Sequence, residues 1–143
     1  MEKIRVLFIS VANSFRSQVA EAYMNATYGD RFEAESAGYQ TTSVNPTAVE
    51  LMRELDIDIS LNKTAKVMDY FKEDRTYDYV VAVCQREEEA SCPVYPGEAM
   101  KLVWKDLPNP ELYEGTDDER FGNARNVVQN LIKRIDSFVT AIG

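Results

Sequence analysis

Residues 4–9, Ile-Arg-Val-Leu-Phe-Ile, form a short, nearly continuous apolar run rich in β-forming side chains. Such a run without polar alternation reads as a strand buried on both faces, the pattern of a parallel sheet. Ser17 to Tyr28 follows with Val19, Ala20, Tyr23 and Met24 at helical spacing, a helix expected to end before Gly29. Phe32 to Ser36 reads as a second strand, closed by Ala37-Gly38. Asn45-Pro46 supplies a capping residue and a proline at the first helical position, and Ala48, Val49, Leu51, Met52 and Leu55 continue that helix. Tyr77 to Cys84 is the clearest strand, Met100 to Trp104 a weaker one, and Val128, Leu131, Ile132, Ile135, Val139 and Ile142 mark a final amphipathic helix. Strands alternating with helices predict an α/β fold of three layers, a central parallel sheet of about four strands flanked by helices.

Composition narrows the function. A length of 143 residues without repeat, low-complexity tract or linker fits one domain over residues 1–143. The net charge of −8 argues against nucleic acid or an anionic membrane as partner. The chain has no histidine, which excludes Ser-His-Asp and Cys-His catalysis. The N-terminal apolar run is too short for a signal peptide, and no stretch approaches the roughly 20 apolar residues of a membrane span. Two cysteines in such a chain read as cytoplasmic thiols with a catalytic or redox use.

In doubly wound sheets ligands bind beyond the carboxyl ends of the strands, so the loop after the first strand is the candidate site. It runs Ser10, Val11, Ala12, Asn13, Ser14, Phe15, Arg16, Ser17 and leads from a strand into a helix. Free N–H groups at a helix start favour an anion, and the planar guanidinium of Arg16 offers paired donors to a tetrahedral oxyanion. Asn13 tolerates a left-handed backbone, and Ser14 and Ser17 add hydroxyls. An ordinary strand-to-helix turn with a surface arginine fits the same letters.

The segment VLFISVANSFRSQVAEAY resembles the start of the superfamily of low-molecular-weight tyrosine phosphatases and thioredoxin-coupled arsenate reductases, whose loop is Cys-x5-Arg-Ser; here too five residues separate position 10 from Arg16. The likeness continues through ESAGYQ, VNPTAVELM, DIDIS, YDYVVAVC, Cys92-Pro93 and LPNP, nearly the whole chain. It implies that Val11, Ala12, Asn13, Ser14, Phe15, Arg16 and Ser17 bind a small oxyanion (arsenate, phosphate or sulfate). It also implies a catalytic set of position 10, Arg16, Cys84, Cys92 and the residue aligned with the general acid, Asn109.

Two departures matter. The family's nucleophilic cysteine falls on Ser10. A cysteine near a helix start and an arginine loses its proton readily, its pKa falling from about 8.5 to roughly 3.5–7.5, whereas a serine without a base keeps its own. The chain as it stands is therefore expected to be inactive. An engineered change of that cysteine to its near-isostere serine is the preferred explanation, and a natural pseudoenzyme is the alternative. The second departure is Asn109-Pro110, where relatives carry Asp-Pro; an amide cannot donate and retake a proton, and Asp106 is a candidate substitute. Ala12 and Phe15 are smaller changes, at positions where glycine and a further cysteine are common.

The cysteines separate the branches. Cys84 alone is most simply a buried small hydrophobe at a strand end, and Cys92 lies in a polar stretch after the acidic run Glu87–Glu89. The resemblance implies a relay in which position 10 attacks arsenate, Cys84 releases arsenite, and Cys92 resolves a disulfide that thioredoxin reduces. A plain phosphatase needs no such pair and is the first alternative; a non-catalytic oxyanion-binding pseudoenzyme is the second. No tightly bound cofactor is expected. Asn13, Glu21 and Ser36 match positions that hold potassium in some relatives, although a hydrogen-bonding trio beneath the loop explains them equally.

Overall fold

A computed structural model describes residues 2–40, 42–85 and 94–143. Four strands, β1 (Ile4–Ser10), β2 (Phe32–Gly38), β3 (Tyr79–Val83) and β4 (Met100–Trp104), alternate with helices α1 (Arg16–Tyr28), α2 (Pro46–Arg53), α3 (Val67–Lys72) and α4 (Asp117–Ile142). The sheet is entirely parallel with strand order β2-β1-β3-β4. The chain leaves β1 toward β2 on one side and later returns to place β3 on the other. The carboxyl end of β1 is therefore the switch point, where the fold opens a crevice.

β1 explains its own apolar run. Val6 and Phe8 face one layer, packed with Val19 and Met24 of α1, Leu51 of α2 and Leu131 of α4; Leu7 and Ile9 face the other, with Val67, Tyr77, Val80 and Tyr95. All four β1 side chains named are shielded from solvent. On the first face Phe8 stacks obliquely on Trp104, their ring centroids 6.1 Å apart. Two tyrosines of α1 tie it to α4: the hydroxyls of Tyr23 and Tyr28 both donate to Asp136 Oδ1, at 2.7 and 2.6 Å. That shared acceptor raises the pKa of both phenols, with burial the larger cause for Tyr23 and the hydrogen bond for Tyr28.

The expected elements are present with shifted limits. β2 runs on through Ala37-Gly38, the pair expected to close it, while β3 is shorter than Tyr77 to Cys84. α4 begins well before Val128, because Thr116 and Glu119 form a reciprocal capping box ahead of Asp117 and Asp118. Gly29 follows α1 but keeps a right-handed conformation (φ −63°), so it is not a left-handed cap. The six-residue α3 is absent from the expected elements; so short a helix carries no readable periodicity.

Candidate active site

The loop from Ser10 to Ser17 is folded onto itself by its own polar groups. Asn13 adopts φ 56°, the left-handed turn that its residue type allows. Its Nδ2 donates to Ser17 Oγ at 2.8 Å, and Ser10 Oγ lies 2.6 Å from the same hydroxyl. Its Oδ1 accepts from the Ala65 N–H at 2.9 Å and from Gln18 Nε2 at 3.3 Å. The Val11 carbonyl accepts from Tyr39 and Gln40, and the Ser14 carbonyl accepts from the Asn45 N–H that opens α2. Ser10, Asn13, Ser14, Arg16 and Ser17 are all buried. Gly38 makes this approach feasible, since a Cβ there would come within 2.8 Å of the Asn13 nitrogen and 2.9 Å of the Ala12 carbonyl carbon.

At the start of α1 no side chain caps the helix and no acidic residue occupies its first turn. The N–H groups there keep the partial positive charge that attracts anions. The Arg16 Nη1 donates to the Leu107 carbonyl at 3.0 Å, which fixes the guanidinium beside the loop. The loop thus gathers a buried arginine, hydroxyls at both ends and the N–H groups of a helix start, the donor types that a small oxyanion would need. A cavity of about 370 Å³ adjoins it, lined by Phe15, Asn45, Glu111, Tyr113, Asp117 and Phe121 among others.

The segment after β4 crosses the loop but presents its groups differently from expectation. Asn109 caps the single 3₁₀ turn Pro110–Leu112 by accepting from the Glu111 N–H at 3.0 Å, and its own N–H donates to Gln85 Oε1 at 3.1 Å. Asp106, the candidate substitute acid, is exposed and pairs with Arg134 at 3.1 Å, on α4. Among the described residues, the Glu111 carboxylate reaches the loop, its Oε1 accepting from Ser14 Oγ. Sequence reasoning missed it, because the two residues stand 97 positions apart and no local pattern joins them.

Cys84 lies buried just beyond β3, its N–H donating to the Trp104 carbonyl at 3.1 Å. With Ile9, Ala82 and Tyr95 it lines a second cavity of about 250 Å³. Ile9 pairs with Ala82, so Ser10 and Cys84 both stand at the carboxyl rim of the sheet. Cys84 is disulfide-bonded. Cys92, like the Glu87–Glu89 run, lies outside the described residues.

Of the expected potassium trio, Ser36 Oγ donates to Glu21 at 2.9 Å. The Asn13 carboxamide oxygen is engaged by Ala65 and Gln18. Asn13, Glu21 and Ser36 thus all take part in hydrogen bonds beneath the loop. Burial pushes the Glu21 carboxyl up to about 7, against the opposing pull of its hydrogen bonds from Ser36.

Comparison with known proteins agrees with this architecture. The family described as low molecular weight phosphotyrosine protein phosphatase matches residues 5–142. An arsenate reductase of Halalkalibacterium halodurans is 35% identical over 138 residues, 96% of each chain. The crystal structure of an arsenate reductase from Archaeoglobus fulgidus superposes with a TM-score of 0.74 at 28% identity, covering 94% of this chain and 98% of that one. A thioredoxin-dependent arsenate reductase of Corynebacterium glutamicum superposes with a TM-score of 0.62 at 28% identity, covering 94% of this chain and 62% of that one.

Proposed function

Because the chain belongs to the low molecular weight phosphotyrosine protein phosphatase family, with arsenate reductases among its relatives, we propose that it is a cytoplasmic arsenate reductase when cysteine stands at position 10, and inactive with Ser10. The loop holds arsenate through backbone N–H groups and Arg16, which neutralise charge as it develops on the oxyanion. A thiolate at position 10 forms a sulfur–arsenic bond and a hydroxyl leaves the arsenic as water. Cys84 then attacks the position-10 sulfur, and the electron pair of the broken sulfur–arsenic bond departs with arsenite. Cys92 resolves the resulting disulfide, and two electrons from thioredoxin restore the Cys84 and Cys92 thiols. Serine at position 10 forms neither the sulfur–arsenic bond nor the disulfide, so these electrons have no route to arsenic.

The observation that carries the reductase branch is the disulfide at Cys84, on the same rim as the cradle. A phosphatase uses no such bond, and the position of its general acid holds Asn109, an amide that cannot transfer a proton and whose side chain caps a turn. A second reading follows from Ser10 itself. Its hydroxyl lies 2.6 Å from Ser17 Oγ, within the loop's own hydrogen bonds, an arrangement that suits a protein that binds oxyanions and does not turn them over.

Restoring cysteine with Ser10→Cys and supplying arsenate, thioredoxin and its reductase tests the reading. Arsenite should form, and Cys84→Ser or Cys92→Ser should abolish it. Hydrolysis of an aryl phosphate without arsenate turnover would assign the chain to the phosphatases. A gene that encodes serine at position 10 would favour the pseudoenzyme.

A further inference from the structure

We infer that Glu111 is a specificity-determining residue of the oxyanion loop, selecting oxyanions that carry a proton, phosphate and arsenate, over sulfate. The inference rests on the reading of residues 10–17 as an anion cradle. The segment bearing Glu111 is tied to that cradle at two points. The Leu107 carbonyl accepts from Arg16 at 3.0 Å, and the Glu111 carboxylate accepts from Ser14 Oγ. Between them Pro110 is buried and Asn109 caps the turn that presents Glu111, so the carboxylate is held in place.

The consequence is a matter of donors and acceptors. A serine hydroxyl has one proton, and that of Ser14 is committed to Glu111. Toward the cradle Ser14 Oγ can then only accept, and an ionised carboxylate can only accept. A ligand oxygen that reaches this edge of the loop therefore has to bring a hydrogen-bond donor, while Arg16 and the helix N–H groups call for a negative charge. At neutral pH phosphate and arsenate meet both demands, since each keeps at least one O–H group. Sulfate keeps none, and it would set a bare oxygen against two acceptors and a like charge. A site built to receive a hydroxyl rejects the analogue that lacks it, chiefly by leaving its own polar groups unpaired.

Calorimetric titration of the unaltered chain, Glu111→Gln and Glu111→Ala with phosphate, arsenate and sulfate tests this directly, and needs no catalysis. Glu111 is exposed, so both variants should fold, with thermal unfolding as the control. Phosphate should bind the unaltered chain at least about tenfold more tightly than sulfate. Glu111→Gln can turn an N–H toward the ligand and Glu111→Ala frees the Ser14 proton, so in both the ratio should fall toward one, mainly through tighter sulfate binding. A phosphate-to-sulfate ratio unchanged in both variants overturns the assignment of Glu111, as does a ratio near one in the unaltered chain. Failure of all three proteins to bind any of the anions removes the cradle reading itself, and this inference with it.

Discussion

The two ends of the carboxyl rim are built on opposite principles. Around β1 every loop residue from Ser10 to Ser17 is buried or half-buried, and Asn13 alone joins Ser17, Gln18 and Ala65. Around β3 and β4, Val94 and Val103 are more than half exposed beside a cavity that Cys84 helps to line. Fixed dipoles like those of the first region stabilise an arriving charge without reorganising, which is what the proposed oxyanion site requires. The second suits chemistry in which bonds are exchanged between side chains, which requires room to move. A redox relay on this scaffold would thus separate binding from electron transfer along one edge of one sheet.

This contrast can be broken from either side. The largest effect should come from Arg16→Ala: phosphate affinity measured by calorimetry should fall by about 100-fold or more, since a buried charge-assisted contact is lost and the Leu107 carbonyl loses its Arg16 donor. An unchanged affinity would mean that the rigid end of the rim is not the anion site. Next, Asn13→Ala should lower stability by about 2–3 kcal/mol in denaturant titration, because three hydrogen bonds and a left-handed residue depend on that side chain. Asp136→Ala, remote from the rim, should cost about 1–3 kcal/mol by releasing two tyrosine hydroxyls, yet leave phosphate affinity unchanged. Loss of binding there would show that the cradle is not independently rigid.

Glu21, beneath the loop, adds a pH dependence. Its carboxyl titrates at about 7 in the folded chain against 4.5 ordinarily, chiefly through burial. Between these values the folded chain holds a proton that the unfolded chain has lost, so stability declines as pH rises from 4.5 through 7. Glu21→Gln keeps an oxygen to accept from Ser36 and removes the charge. It should flatten that decline and stabilise the chain by about 2 kcal/mol at pH values above the window, read from thermal unfolding across pH. The smallest effect belongs to Asp106→Ala in the Ser10→Cys background. An exposed pair with Arg134 contributes about 0–1 kcal/mol, and turnover should change less than about twofold. A large loss of turnover would restore Asp106 as the acid.

Much of this was legible before any coordinates. The apolar run at residues 4–9 required burial on both faces, which only a central parallel strand offers, and β1 occupies that place. Asn13 announced a tight loop by its own chemistry, which its φ of 56° bears out, and Asn45-Pro46 opened α2 as a cap with a following proline should. These are properties of neighbours in the chain, where propensity, capping and spacing act within a turn or two.

What the sequence could not decide is which distant groups meet. Asp106 was a candidate acid and Asn109 stood at the position aligned with the family's acid, yet one pairs with Arg134 on α4 and the other caps a turn. Glu111 carried no signal of its own and reaches Ser14. Tyr23 and Tyr28 gave no hint of sharing Asp136. Side-chain hydrogen bonds act only within about 3 Å, and only the packing of sheet and helices brings such groups that close. The sequence by itself determined a parallel α/β sheet with a polar strand-to-helix loop at its switch point; the tertiary structure alone decided which distant side chains meet that loop, Glu111 among them.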